Sequence, residues 1–313
     1  MDMRPLGKSG LTTAPWAFGG NVFGWTADQD TSFKLLDAFV GGGFNLIDTA
    51  DVYSAWVPGH TGGESETVMG AWFAARPGAR DKVLVATKLG MLPPNNGLSA
   101  TQIETAVEAS LKRLQTDRID LYQSHKDDTA TPLEETLTAY DRLIKAGKVR
   151  AIGASNYDSA RLGEALKVSA DKGVARYDSL QPAYNLMDRA IEAEIVPLCQ
   201  KADVAIITYY SLASGFLSGK YRSADDLGKS PRGGGIKKYL TDKGFAVLKA
   251  LDEVSEARAA TPAQVAAAWV MAKPGITAAI ASATSLEQMK DLTAAAHLTL
   301  SADDMAKLDK ASA

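Results

Sequence analysis

The chain has very little cysteine and histidine and carries almost no net charge. One cysteine, Cys199, rules out an intrachain disulfide, and no histidine lies near it in sequence, so it reads as an inert packing residue of a helix. The three histidines, His60, His125 and His297, fall on unrelated segments with no Cys/His or His-x-x-x-His spacing, so no metal site is expected. Thirty-four basic against 37 acidic residues give a net charge of -3, which favours neither nucleic acid nor an anionic membrane as partner. No apolar run approaches the roughly 18 residues of a spanning helix, and Met1 to Pro5 begin no apolar leader. A cytoplasmic location is the expectation. No glycine-rich dinucleotide fingerprint follows an early strand, which counts against an open Rossmann sheet.

What is present is alternation. With 313 residues, 46% hydrophobic and 23% charged, the chain can bury a large core and falls within the range of one α/β barrel. Arg4 to Thr13 reads as a hairpin placed to plug a barrel bottom, and Pro15 to Gly20 as a first buried strand ending in a glycine pair. Helical spacing over 30–40 precedes the strand Phe44–Ile47, and further helices are expected over 64–75, 99–114, 132–146, 158–172, 190–201, 241–259, 262–272 and 285–296. Between them lie apolar runs over 82–88, 119–125, 149–154, 179–182, 204–210 and 276–281. Eight strand–helix units of roughly 30 residues predict a (β/α)8 TIM barrel, one domain over 1–313, with an N-terminal β-hairpin and a C-terminal extra helix at 301–310. The charged, glycine-rich stretch 224–238 is expected as a mobile insertion after the seventh strand.

In such a barrel, chemistry collects at the carboxyl ends of the strands. The residues there are Asp48, Lys88, His125, Ser155 with Asn156, Gln181, and Tyr210 with Ser211, and Tyr53 lies in the loop after the second strand. Taken singly, Lys88 can snorkel to solvent, His125 can be a satisfied rim histidine, and Asp48 can cap its loop. Three consecutive strands each ending in an ionisable group are harder to ascribe to accident. A Lys⁺ beside Tyr53 would lower the phenol's pKa from about 10, and a carboxylate would keep that lysine charged and placed. The set suits a phenol acting as general acid toward a carbonyl oxygen, with His125 orienting the same oxygen.

These segments resemble the aldo-keto reductase family along nearly the whole chain. The matching stretches are Asp48-Thr-Ala-Asp-Val-Tyr53 with Gly63-Glu-Ser-Glu66, Gly147 to Asn156, Gln181 to Asn185, Tyr210 to Tyr221, and Glu287-Gln288. The resemblance implies a nicotinamide-dependent carbonyl reductase in which Tyr53 donates the proton, Lys88 and Asp48 tune it, and His125 positions the carbonyl of a small aldehyde, ketone or alcohol. It implies cofactor contacts from Gly20, Asn21, Ser155, Asn156 and Gln181, and from Tyr210 stacked on the nicotinamide ring. Ser211, Leu212, Gly215, Leu217, Ser218 and Lys220 would follow the pyrophosphate, and Ser282, Thr284 and Gln288 would hold the adenosine end at a helix N-terminus.

Thr284 stands where relatives often carry an arginine for the 2′-phosphate, and Leu292 where an asparagine often meets the adenine. NADP(H) is preferred on family grounds, NAD(H) is left open, and Lys220 or Arg222 are alternative sources of the missing charge. Phe23, Trp25, Trp56 and Tyr184 are the candidates for the substrate pocket wall. Two other roles stand beside the reductase: a Schiff-base aldolase using Lys88, and a cofactor-binding regulatory subunit of the same fold, like the channel-associated members. A monomer or weak homo-oligomer is expected.

Overall fold

Eight short apolar runs pair in parallel and close on themselves. The computed structural model describes residues 2–94, 96–229 and 233–313. In chain order the elements are β1 (Arg4–Pro5), β2 (Thr12–Thr13), β3 (Trp16–Gly19), α1 (Gln29–Gly41), β4 (Leu46–Asp48), α2 (Glu64–Ala75), β5 (Leu84–Leu89) and α3 (Ala100–Leu114). There follow β6 (Ile119–Ser124), α4 (Leu133–Lys145), β7 (Val149–Ser155), α5 (Ser159–Lys172), β8 (Tyr177–Gln181), α6 (Ile195–Ala202) and β9 (Ala205–Thr208). The chain ends with α7 (Asp242–Arg258), α8 (Pro262–Ala272), β10 (Ile276–Ala281), α9 (Leu286–Ala295) and α10 (Ala302–Ala311). The barrel runs β10-β3-β4-β5-β6-β7-β8-β9, and β1 pairs with β2 antiparallel outside it. This is a (β/α)8 TIM barrel.

Strand parity explains the two cores. Ala17, Leu46, Ala86, Leu121, Ala151, Ile207 and Ala278 fill the barrel interior, and Leu6 and Leu11 of the hairpin pack into the same cluster, closing its lower end. Their sequence neighbours Trp16, Ile47, Val85, Tyr122 and Ile152 belong to the outer cluster beneath the helices. Because side chains alternate along a strand, the inward set continues from Leu46 to Asp48, from Ala86 to Lys88, and from Leu121 to Gln123. The interior is narrow. A Cβ at Gly153 would lie 2.3 Å from Ser179 Oγ and 3.1 Å from Gln123 Cγ, so a side chain at that inward position would have to displace Ser179.

Helix starts follow local chemistry. Ser99 with Gln102, Thr261 with Gln264 and Ser301 with Asp304 form capping boxes on α3, α8 and α10. One expected helix is corrected: 190–201 divides into a 3-10 turn, Ala190–Glu192, and the eight-residue α6. Pro197 lacks an N–H and belongs in a first turn, so the helix begins at Ile195 rather than running through it. The stretch 224–238 follows β9, the seventh barrel strand, where the insertion is expected, and it carries local structure. Ala224–Lys229 and Gly233–Tyr239 are 3-10 turns, Ile236 is buried, and the Tyr239 ring stacks on Phe216 at 5.5 Å. Ser230, Pro231 and Arg232 within that stretch lie outside the described residues. Among the described residues no helix is long and apolar enough to cross a membrane.

Candidate active site

Lys88 is fully buried at the end of β5, where burial of a charge demands complete compensation. Its ammonium group has three donors and uses all of them: Asp48 Oδ2 at 2.7 Å, Thr49 O at 2.8 Å and the Tyr53 hydroxyl at 3.1 Å. Asp48 Oδ1 accepts from Gln181 Nε2 at 2.8 Å and makes a longer contact of 3.5 Å with Gln123 Nε2. The Tyr53 ring meets Trp56 and His125 edge to face, at centroid distances of 5.7 and 6.0 Å. The N-terminus of α2 holds the Tyr53 loop. Gly63 and Ser65 N–H groups donate to Tyr53 O at 2.9 and 3.3 Å, Thr49 Oγ1 donates to Ser65 Oγ at 2.7 Å, and Ser54 N donates to Glu64 Oε2 at 3.2 Å.

The electrostatics sharpen these roles. Burial opposes the charge of Lys88, but Asp48 and Tyr53 outweigh it, and its pKa lies above the ordinary lysine value. The snorkelling alternative is therefore removed. Tyr53 departs from expectation: burial raises its pKa, Lys88 lowers it, Asp48 raises it again, and the balance lies above the ordinary phenol value. Lys88 thus does not make a tyrosinate at neutral pH; it grips a phenol that keeps its proton. Burial, with Lys88 and Lys126, lowers His125 to about 3, so its imidazole is neutral. Among the described residues His125 Nδ1 is buried without a hydrogen-bond partner. Cys199 is buried, and burial pushes its thiol up to about 12.

Around this centre the rim residues are mostly engaged with one another. Ser282 Oγ donates to Asn21 Oδ1 at 2.7 Å beside the 3-10 turn Gly20–Val22. Ser155 Oγ donates to Gln181 O at 2.9 Å, and Asn156 Nδ2 to His125 O at 2.9 Å, while Tyr209 OH donates to Asn156 Oδ1 at 2.7 Å. Tyr210 takes a left-handed backbone, φ 57, and leaves its ring 58% exposed at the barrel mouth. Its carbonyl accepts from Asn185 Nδ2 at 3.0 Å, and Ser211 Oγ donates to Ile280 O at 2.9 Å. From Leu212 the chain enters the 3-10 turn Ala213–Ser218, in which Ser214 and Gly215 have φ of 57 and 96, Leu217 is buried, and Ser218 Oγ donates to Gly215 O at 2.7 Å. Ala213, Ser214 and Gly215 take positive φ in succession, and the Ala213, Gly215 and Leu217 N–H groups donate to Tyr210 O, Leu212 O and Leu212 O.

The sequence model of the aldo/keto reductase family matches residues 15–313. The chain belongs to the aldo/keto reductase family. It is 32% identical over 311 residues to "Uncharacterized oxidoreductase YrpG" of Bacillus subtilis (strain 168), covering 96% of this chain and 92% of that one. It is 33% identical over 313 residues to "Aldo-keto reductase YhdN" of the same organism, covering 95% and 87%. "Probable voltage-gated potassium channel subunit beta" of Oryza sativa subsp. japonica is 31% identical over 315 residues, covering 96% and 93%. The family and the two Bacillus subtilis relatives make the chain an oxidoreductase.

Several expected members of this aldo/keto reductase site lie elsewhere. Phe23 is fully buried and packs edge to face on Phe18 at 5.1 Å, so it is core and not pocket wall. Tyr184 is likewise buried, stacked on Trp269 at 5.4 Å with its hydroxyl donating to Glu192. Their spacing put them in rim loops, but each ring finds apolar cover beneath its own loop. Trp25 and Trp56 remain at the mouth, 5.6 Å apart edge to face, with Trp56 48% exposed. Arg222 is not a spare charge: it forms a two-bond pair with Asp252, both at 2.7 Å, and donates to Gly219 O. Lys220 is exposed, its ammonium 5.1 Å from the Tyr221 ring centroid. At the start of α9, Gln288 Oε1 accepts from Thr284 N at 2.8 Å and from its hydroxyl at 3.2 Å, and Leu292 is buried.

Sequence reading missed Gln123, Thr49 and Tyr209. Gln123 carried a usable signal, since it lies two residues before His125 and two after the inward Leu121. Thr49 acts through its carbonyl, which side-chain chemistry does not reveal.

Proposed function

We propose that this aldo/keto reductase, as one barrel domain, reduces an aldehyde or ketone to the alcohol, and reverses the reaction, with NADPH or NADH as cofactor. The observation that carries this reading is the single buried ammonium joining Asp48 to the Tyr53 hydroxyl. Tyr53 holds a proton at its phenol oxygen and releases it to a carbonyl oxygen as negative charge develops there. Lys88 stabilises the resulting phenolate, and Asp48 keeps Lys88 charged and in place. Neutral His125 orients the carbonyl. Its proton and tautomer are unaffected by pH in the neutral range, because its pKa is near 3.

The residues at the rim fit a nicotinamide dinucleotide. The exposed Tyr210 ring is a ready stacking surface, and the start of α9 is solvent-exposed with Ser282 and Thr284 beside it. Ser155, Asn156, Gln181, Gly20 and Asn21 would hold the nicotinamide end, and Ser211, Leu212, Gly215, Leu217, Ser218 and Lys220 the diphosphate. When bound, the cofactor supplies the hydride. Gln288, folded onto Thr284, supports a neutral contact at the adenosine end, and we assign NADPH as the preferred cofactor on family grounds, with NADH use following from the absent arginine. Trp25 and Trp56 would form the substrate wall.

Two other roles fare less well. A Schiff-base lysine must lose its proton to attack a carbonyl, and the raised pKa of Lys88 opposes that. The likeness to a potassium channel β subunit supports a second, regulatory reading, but the complete Asp48, Tyr53, Lys88 and His125 set favours turnover. A panel of carbonyls and alcohols, assayed with both cofactors by nicotinamide absorbance, tests the proposal. Cofactor binding with no turnover of any panel member would favour the regulatory role.

A further inference from the structure

The Tyr53 loop and the barrel wall behind it bury three carboxylates, Asp48, Asp51 and Glu66, which are 2, 3 and 0% exposed. They also hold two cations, Lys88 and Arg113. Each cation is committed. Lys88 Nζ meets Asp48 Oδ2 at 2.7 Å, and Arg113 Nε meets Glu66 Oε2 at 2.7 Å. Glu66 Oε1 is occupied as well, accepting from Thr87 Oγ1 at 2.6 Å. Asp51 is the acid left over. Among the described residues its Oδ1 is buried without a hydrogen-bond partner, while the Val52 N–H donates to its carboxyl group. Burying a third negative charge against two cations is costly, and taking up one proton removes the imbalance.

The same cluster carries the loop that presents Tyr53. Asp51 N donates to Lys88 O at 3.0 Å, two residues before Tyr53. Gly63, whose N–H holds Tyr53 O, lies against Arg113. With φ +84 and a Cβ that would fall 2.4 Å from Arg113 Cδ, that position admits no side chain. The guanidinium therefore holds Glu66, the carboxylate that faces Asp51, and lies against the turn that grips Tyr53.

We propose that Asp51 is a positioning residue that carries a proton in the active enzyme. The neutral acid, seated beside the Glu66–Arg113 pair, keeps the Asp51–Ser54 turn placed so that the Tyr53 hydroxyl meets Lys88. When the proton leaves, a negative charge faces Glu66 while Lys88 and Arg113 are already paired, the turn is pushed from its seat, and turnover falls. The positioning part rests on Tyr53 being the proton donor; the protonation of Asp51 does not.

The groups facing Asp51 pull in both directions, and burial with Glu66 prevails. Burial and Glu66 of α2 raise its pKa, Arg113 of α3, the Val52 N–H and Lys88 of β5 lower it, and the balance is about 7. Tyr122 of β6 and Tyr140 of α4 face the same carboxyl group, and both are held well above the ordinary phenol range by burial, so neither adds charge near neutrality. The folded pKa is above the unfolded value of about 3.9, so this proton's contribution to stability is full below that value and is lost as pH rises through about 7.

A site-assigned carbon-13 carboxyl titration of the wild-type enzyme reads the Asp51 proton directly. The expected midpoint is near neutrality, and in Glu66→Gln, which leaves two carboxylates for two cations, it moves down by at least about one pH unit. Steady-state profiles read the positioning. Wild-type kcat should fall above neutrality, about tenfold per pH unit as for one ionisation, with KM little changed. Asp51→Asn should lose that limb. An Asp51 carboxyl already ionised at pH 5 would overturn the protonation, and a limb retained in Asp51→Asn would overturn the positioning. Should Asp51→Asn not fold, the wild-type titration decides the first, and coincidence of its midpoint with the kcat limb decides the second. Failure of Tyr53→Phe to reduce turnover would instead sink the proton-donor reading and leave the carboxyl titration untouched.

Discussion

Gln181 Nε2 donates to Asp48 Oδ1 at 2.8 Å across the inside of the barrel, between residues 133 positions apart in the chain. Asp48 thereby divides its two oxygens, one facing an amide and the other the Lys88 ammonium. Replacing Gln181 with leucine leaves Oδ1 with only the 3.5 Å contact to Gln123. We expect kcat to fall by about tenfold, the equivalent of one hydrogen bond to a charged group. Rapid single-turnover measurement at saturating cofactor separates this effect from weaker cofactor binding, and an unchanged chemical step would show that the bond has no bearing on Lys88.

Tyr53→Phe removes the proton and keeps the ring on Trp56 and His125. Carbonyl reduction should drop by about 10²–10⁴-fold, the usual contribution of a placed general acid. Cofactor affinity, read by fluorescence titration, should stay near the wild-type value.

Lys88→Met leaves Asp48 buried without its cation, while the Tyr53 hydroxyl loses its donor. Urea unfolding should show a loss of about 3–5 kcal/mol, and adding Asp48→Asn should recover most of it. A single variant as stable as the wild type would mean that water reaches Asp48.

His125 gives a pH test with a defined sign. Its folded pKa, about 3, lies below the unfolded value of about 6.5, so stability is full above 6.5 and declines as pH falls toward 3, because only the unfolded chain takes up the proton. Stability measured from pH 7 to pH 4.5 should fall less in His125→Gln than in the wild type. Equal slopes would place the His125 pKa near its ordinary value.

Cofactor choice separates Thr284 from Arg222. Thr284→Arg introduces the missing fork and should shift the kcat/KM ratio toward NADPH, by about tenfold or more. Arg222→Ala should leave that ratio alone, since Asp252 already holds the guanidinium. A ratio that moves with Arg222 and not with Thr284 would relocate the 2′-phosphate contact to the 212–222 segment.

Much of the barrel was legible because its signals are local. Apolar runs of four to seven residues, Ser and Thr caps and glycine stops depend on neighbours in the chain, and α2, α8 and β10 have the bounds that the pattern indicates. Even the grouping of Asp48, Lys88 and His125 was accessible, because strand parity and the rule that strand ends face one rim convert sequence position into spatial position.

Three things needed the tertiary structure. Phe23 and Tyr184 look like rim aromatics until packing shows them covered, since burial of a loop ring depends on what the rest of the chain places beneath it. The phenol of Tyr53 keeps its proton because burial outweighs the neighbouring lysine, a balance set by solvent exclusion that no spacing encodes. Asp51 reads as one more loop carboxylate until Lys88 and Arg113 are seen to be taken by Asp48 and Glu66. The sequence by itself determined which residues arrive at the rim. Only the fold decided which charges find partners there, because in a buried site a charge's effect depends on every other charge within a few ångströms, whatever its distance along the chain.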